Sequence, residues 1–213
     1  MKKTIYLNAG HNIITDPGVI TEYGREIDFN ITIRDIVISK LEEKGFKVEV
    51  VPDNLGLSDS IAWVNRRTNN INDGLALSLH CNCCGGSGAE AYYYGHNAKS
   101  KTLATKLLDG YIQETGLEKS NGGVRSDTAS NVGELGWIRK TKPWSLLLEM
   151  IYMDNKTDVY FFNFQKEKIA NGIIRGVMNI YNLPYNPEPI KEEINNLAEI
   201  KKLAQKIISL TIE

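Results

Sequence analysis

The sequence has no long apolar run, only three histidines and three cysteines, and no excess of either charge. No stretch approaches the roughly 18 consecutive apolar residues that span a bilayer, so no membrane insertion is expected. Met1-Lys2-Lys3 leads directly into a strand-like segment, so no signal peptide is expected and synthesis would be cytoplasmic. The 25 basic side chains nearly cancel the 26 acidic ones, which leaves neither the basic field of a nucleic-acid binder nor a polybasic membrane patch. Cys81, Cys83 and Cys84 are odd in number and crowded into one tetrapeptide. That argues against a disulfide framework, and the cluster reads as small residues around a strand end.

What is present is globular. Hydrophobic residues are 42% and charged residues 24% of 213, enough for one sizeable core without staples. Thr4 to Leu7 predicts a strand, and Asp16-Pro17-Gly18 a turn. Ile27 to Lys44 has helical spacing with a stop at Gly45; Phe46 to Val51 reads as a strand and Ser58 to about Asn70 as a shorter helix. Leu75 to Leu79 and Ala89 to Tyr94 read as strands, and Lys99 to Thr115 as a helix before Gly116. Residues 117 to 135 look like an exposed loop, Ser145 to Leu148 like the last strand, and Val159 to Tyr181 like one long amphipathic helix. Alternating strands and helices of these lengths predict an α/β layer structure with a mostly parallel, twisted sheet and helices on both faces.

Pro184, Pro187 and Pro189 each fix φ and remove an amide donor. The expected division is therefore a catalytic domain over residues 1–183, a linker over 184–189 and a helical tail over 190–213. The tail spaces Ile190, Ile194, Leu197, Ala204 and Ile207 three or four apart or in multiples of that spacing, an amphipathic helix without its own core. It docks on the main domain, self-associates or meets a partner.

In open parallel sheets ligands bind beyond the carboxyl ends of the strands. His11 follows the first strand, His80 ends the strand from Leu75, and Glu149 ends the strand from Ser145. A catalytic zinc site takes three protein ligands and leaves one position open, and two histidines with one carboxylate meet that requirement. Glu26, just past the loop that carries His11, is placed to be the carboxylate; Glu22 competes. Glu149 follows Leu146-Leu147-Leu148, where an unpaired buried carboxylate is costly unless metal or substrate offsets it. His96 sits in a polar loop and stays outside the set.

Several motifs then line up in order: Gly10-His11 with Asp16-Pro17-Gly18, Glu26 with Asn30, Ser78-Leu79-His80-Cys81-Asn82, Gly88-Ala89-Glu90, and Ile138-Arg139-Lys140-Thr141 with Pro143 and Leu147-Leu148-Glu149-Met150. Together, over about residues 3 to 182, the chain resembles the zinc-dependent N-acetylmuramoyl-L-alanine amidases. It departs from the family's pattern at Asn12-Ile13, where a second glycine is usual, and in the segment before Leu75.

The resemblance implies a three-layer phosphorylase/hydrolase-like fold and hydrolysis of the amide between the lactyl group of N-acetylmuramic acid and L-alanine in peptidoglycan. It implies one zinc ion on His11, Glu26 and His80, with Glu149 as the catalytic acid–base group. Asn82 and Arg139, beside matched motifs, are expected to hydrogen-bond the substrate peptide or the developing oxyanion. Without an export signal, the expectation is a phage-type endolysin acting on the cell wall, or an excised catalytic domain. A 24-residue tail is too short for a folded wall-binding module, which leaves self-association through 190–213. Two other readings share these residues: a zinc peptidase or aminoacylase on a related scaffold, and a wall-binding module without turnover.

Overall fold

The computed structural model describes residues 3–130 and 133–187. The end of the expected linker and the whole tail, with its expected self-association, lie outside the described residues. In order, the chain forms β1 (Thr4–Asn8), a short antiparallel pair β2 (Ile20–Thr21) and β3 (Gly24–Arg25), α1 (Glu26–Glu43), β4 (Lys47–Val50) and α2 (Leu57–Asn65). Then follow β5 (Gly74–Asn82), β6 (Ala89–Tyr93), α3 (Ala98–Thr115), β7 (Lys119–Ser126), a 3-10 turn at Asp127–Ala129, α4 (Gly136–Lys140), β8 (Trp144–Tyr152), α5 (Lys156–Phe164) and α6 (Lys166–Ile180). No helix among the described residues is long and apolar enough to cross a membrane.

The main sheet has the order β4, β1, β5, β8, β6, β7. Pairing is parallel throughout except between β8 and β6. Because side chains alternate along a strand, each face receives its own set. Ile5, Leu7, Leu75, Leu77, Leu79, Leu146 and Leu148 enter the larger core, against residues of α1, α3, α5 and α6. Tyr6, Ala76, Tyr92 and Leu147 enter a smaller core with Ile61 and Val64 of α2 and Trp137 and Ile138 of α4. Each fully buried aliphatic side chain contributes about 1.5–3 kcal/mol. The result is the expected three-layer α/β arrangement, and the register pairs Leu77 with Leu146 and His80 with Glu149.

Four local expectations need correction. The span 117–135 is not a loop throughout: Lys119–Ser126 pairs in parallel with β6 at the sheet edge, with an irregularity between Ala89 and Ala91. The long C-terminal helix is two helices, because Gln165 leaves helical geometry with φ −130° and ψ 32° and forms the junction between α5 and α6. The helix from Ser58 stops at Asn65, whose side chain donates to the Lys140 carbonyl and accepts from the Lys142 amide. β5 and β8 run beyond His80 and Glu149 to Asn82 and Tyr152, so neither residue is terminal in its strand.

Helices α3 and α6 meet at glycines. A Cβ on Gly110 would fall 2.5 Å from the Gly176 amide nitrogen and 2.6 Å from its Cα, so the backbones approach as closely as the missing side chains permit. Gly110→Ala is expected to push the two helices apart and destabilise the fold by about 1–3 kcal/mol, as overpacking does. Urea denaturation checks this: the midpoint should fall while the slope stays unchanged.

Candidate active site

Beyond β1 the chain reverses through Gly10 and His11, with φ of +63° and +49°. His11 is a non-glycine in the left-handed region, a conformation kept where surrounding contacts over-determine it. Its ring is held at both nitrogens: Nδ1 is 3.0 Å from Asp16 Oδ1, and Nε2 is 3.0 Å from Glu26 Oε2. Asp16 also accepts from the Gly18 amide at 3.2 Å, so the residue expected only as a turn former orients a histidine. A Cβ on Gly18 would fall 2.5 Å from Glu26 Oε2 and 2.6 Å from His11 Cδ2; only glycine lets the loop pass between them.

Glu26 opens α1, where the helix dipole favours a negative charge, and is almost completely buried. Its Oε1 accepts from His80 Nδ1 at 3.0 Å and from the Cys81 amide at 3.1 Å, and its Oε2 accepts from the Val19 amide at 3.0 Å. Burial alone would raise its pKa, but the hydrogen bonds and charge of His11 and His80 hold it well below the usual carboxylate range. Burial likewise works to lower His11, yet the carboxylates of Glu26 and Asp16 prevail and carry it to about 9. Glu22, the competing carboxylate, is exposed and outside the cluster. One donor atom each from His11, Glu26 and His80 lies within 4.8 Å of the others. Two imidazole nitrogens and a carboxylate oxygen at that spacing suit a single divalent zinc ion.

His80, Glu149 and Glu90 form one row across β5, β8 and β6. Glu149 Oε2 is buried without a hydrogen-bond partner among the described residues. Burial pushes its pKa well up, and the charges of Glu26 and Glu90 add to the effect while His11 opposes it. Glu90, by contrast, is fully buried and well satisfied. Its Oε1 accepts from Tyr152 and Asn121 at 2.6 Å each, and its Oε2 accepts from the Tyr92 hydroxyl at 2.9 Å and Arg125 at 3.0 Å. Burial would raise it, but these donors lower its pKa. Burial, then the charge and hydrogen bond of Glu90, push the Tyr92 phenol up; Tyr93 packs against the larger core and Tyr94 is exposed.

Two cavities flank the row. One of about 360 Å³ lies on the Glu149 side and is lined by Asn82, Tyr92, Asn121, Arg125 and Tyr152 among others. The second, about 210 Å³, lies beside His11 and His80 and is lined also by Leu57, Ser78 and Trp137. Asn82 therefore faces the first cavity, its Oδ1 accepting from the Cys83 amide at 2.8 Å. Arg139 lines neither: its Nε donates to Asp127 and its other arm pairs with Glu134 at 3.1 Å. His96 is exposed and packs edge-on against Tyr94, apart from the other two histidines. Sequence reasoning missed Asp16 as a histidine partner and missed the Glu90 cluster; the carboxylate in Gly88-Ala89-Glu90, within an otherwise apolar strand, was the available signal.

The sequence profile of the family described as N-acetylmuramoyl-L-alanine amidase matches residues 5–179. No curated protein sequence matches the chain. Among solved structures, it is similar to an N-acetylmuramoyl-L-alanine amidase from Clostridium difficile 630, with a TM-score of 0.72, 19% identity, and coverage of 85% of this chain and 97% of that one. The catalytic domain of the amidase CwlV from Bacillus (Paenibacillus) polymyxa var. colistinus superposes with a TM-score of 0.71 at 24% identity, covering 85% and 99%. The amidase CwlD from Clostridioides difficile, solved with the lipoprotein GerS, gives 0.70 at 21% identity, covering 85% and 99%.

The charge pair in the metal-free protein sets a pH dependence. His11, raised above its ordinary 6.5, adds stability that is complete below that value and lost as pH rises through about 9. Glu26, lowered from 4.5, adds stability that is present above that value and lost as pH falls through its folded pKa. Chelator-treated protein is therefore expected to draw most from this pair between pH 4.5 and 6.5. Denaturant titrations across pH 4 to 10 should show this contribution, and His11→Ala should flatten the alkaline arm.

Proposed function

The chain belongs to the N-acetylmuramoyl-L-alanine amidase family and hydrolyses the amide joining N-acetylmuramic acid to L-alanine in peptidoglycan; from that premise we propose that His11, Glu26 and His80 hold one zinc ion beside Glu149, the acid–base group. The observation that carries the proposal is the row in which His80 of that cluster neighbours Glu149, whose buried Oε2 has no partner among the described residues. The enzyme acts on the cell wall.

When bound, zinc supplies Lewis acidity, polarising the scissile carbonyl and making water a better nucleophile at neutral pH. The chain's residues supply the rest. Asp16, on Nδ1 of His11, fixes the ring so that Nε2 faces the Glu26 side, the outer-shell partner that metal-binding histidines require. His11, Glu26 and His80 would hold the ion as three protein ligands, which would leave it accessible to solvent and substrate. Glu149 takes the proton of the attacking water and returns it to the nitrogen of L-alanine as that bond breaks. A carboxyl group whose proton is held more tightly than usual suits that second, acidic step.

The larger cavity accommodates the peptide side of the substrate. Its wall carries the Asn121 amide, the Arg125 guanidinium and the Tyr152 phenol, donors suited to the carbonyls and carboxylates of a peptide stem. Asn82 is proposed as a direct contact there. Arg139 acts by positioning, since its ties to Asp127 and Glu134 join α4 to the 3-10 turn after β7.

Purified protein should release free L-alanine amino termini from insoluble peptidoglycan, identified by mass spectrometry, and chelation should abolish the release. New ends within the peptide stem would instead mean peptidase action, and no release a binding module. Glu149→Gln should keep its zinc, measured by elemental analysis, while turnover falls by about 10²–10⁴, the range typical of a lost general acid–base group. His80→Ala should lose zinc and activity together, whereas His96→Ala should lose neither.

A further inference from the structure

The turn between β5 and β6 carries two adjacent thiols that the hydrolytic reaction does not use. Cys83 and Cys84 both line the 360 Å³ cavity shared with Glu149 and Tyr152. Their Sγ atoms are direct neighbours as free thiols, Cys83 half-buried and Cys84 exposed. Cys84 adopts a φ of +76°, unusual for a side chain with a Cβ, and the segment is tied down on both sides. The Cys83 amide donates to Asn82 Oδ1, the Gly85 amide to Asp154 Oδ2 at 2.8 Å, and the Asn155 side chain to the Gly86 carbonyl at 2.9 Å. These anchors hold the sulfurs together before any bond joins them.

We propose that Cys83 and Cys84 form a dithiol modification site in the wall of the substrate cavity, closed to a vicinal disulfide by low-molecular-weight disulfides and reopened by thiols, with amidase activity lost on closure. The exposed Cys84 attacks first. Its thiolate displaces one thiolate from the small disulfide and forms a mixed disulfide. Cys83 then attacks Cys84 Sγ and releases the second small thiolate. Two cysteine thiols have lost two protons and two electrons, and the small disulfide has become two thiols. Burial, with the hydrogen bond and charge of Cys84, pushes the Cys83 thiol up, which leaves the exposed Cys84 to react first; once Cys84 is capped, its hydrogen bond and charge no longer hold the Cys83 proton. The new ring must redirect the Asn82–Gly86 backbone that frames the cavity, and so alters the approach to Glu149.

The thiol chemistry stands apart from the hydrolytic mechanism, whereas the loss of activity rests on the amidase reading. The full chain would be treated with oxidised glutathione, alkylated, and mapped by mass spectrometry, with peptidoglycan hydrolysis measured in parallel. The expected result is loss of two hydrogens, a single peptide linking Cys83 to Cys84 with Cys81 unlinked, a severalfold fall in activity, and recovery of both with dithiothreitol. Phenylarsine oxide should bridge the native protein and neither Cys83→Ser nor Cys84→Ser. Cys84→Ser should lose no further activity under oxidant, relative to its own untreated rate. A glutathione adduct that persists on Cys84, a bond to Cys81 or to a second copy, or no modification of a protein with a native circular dichroism spectrum would overturn the site. Closure without loss of activity would overturn its control of the cavity. An untreated protein that releases no L-alanine ends would instead count against the amidase reading, and leave the mass result to decide the thiol chemistry.

Discussion

Glu26 is the constraint on which the rest of the site depends. A carboxylate that is almost completely buried must be compensated, and here the compensation comes from three separate parts of the chain: the ring of His11 after β1, the ring and following amide of His80–Cys81 on β5, and the amide of Val19 just before β2. Each partner is fixed by a different element. The α1 helix sets Glu26 at its positive end, the sheet sets His80, and a strained reversal braced by Asp16 sets His11. The charge that would be intolerable alone becomes the point where three chain segments converge. The same arrangement explains why Gly18 cannot be larger, since the loop must pass between the carboxylate and the imidazole.

The second organising feature is the single antiparallel neighbour in an otherwise parallel sheet. Because β6 runs against β8, its beginning rather than its end lies beside Glu149, and Glu90 enters the row. Two carboxylates in adjacent strands therefore share one environment and are treated oppositely. Glu90 is surrounded by hydroxyl, amide and guanidinium donors that keep it charged, whereas Glu149 has a buried oxygen with no partner among the described residues and favours its proton. Buried Asp158 supports this edge by accepting from Ser87, the Gly88 amide and the Tyr152 amide, which ties the start of β6 to the end of β8 and to α5.

Much of this was legible in the residues. The buried strands announce themselves as runs such as Thr4 to Leu7 and Leu146 to Leu148, and the polar groups near their carboxyl ends stand out against them. What was hidden depends on contacts rather than on local pattern. Strand β7 has the sequence Lys-Ser-Asn-Gly-Gly-Val-Arg-Ser, with positive φ at Asn121, Gly122 and Gly123, and owes its extension to pairing with β6 at the edge. The break at Gln165 has neither proline nor glycine to mark it. Glu90 reads as an ordinary polar position in a strand until Asn121, Arg125 and Tyr152 arrive from elsewhere. Asn30, four residues after Glu26, is buried with its amide unpartnered among the described residues.

The alternation of side chains along β8 has a further meaning. Glu149 stands between Leu148 and Met150, both fully buried in the opposite core, and its neighbours across the sheet are His80 and Glu90. A slip of that strand by one residue would drive the carboxylate into the hydrocarbon core and leave leucine or methionine facing the water of the cleft. No partly correct register is therefore both stable and competent. For this chain turnover therefore reports on the register of its central strands as well as on the side chains of the site.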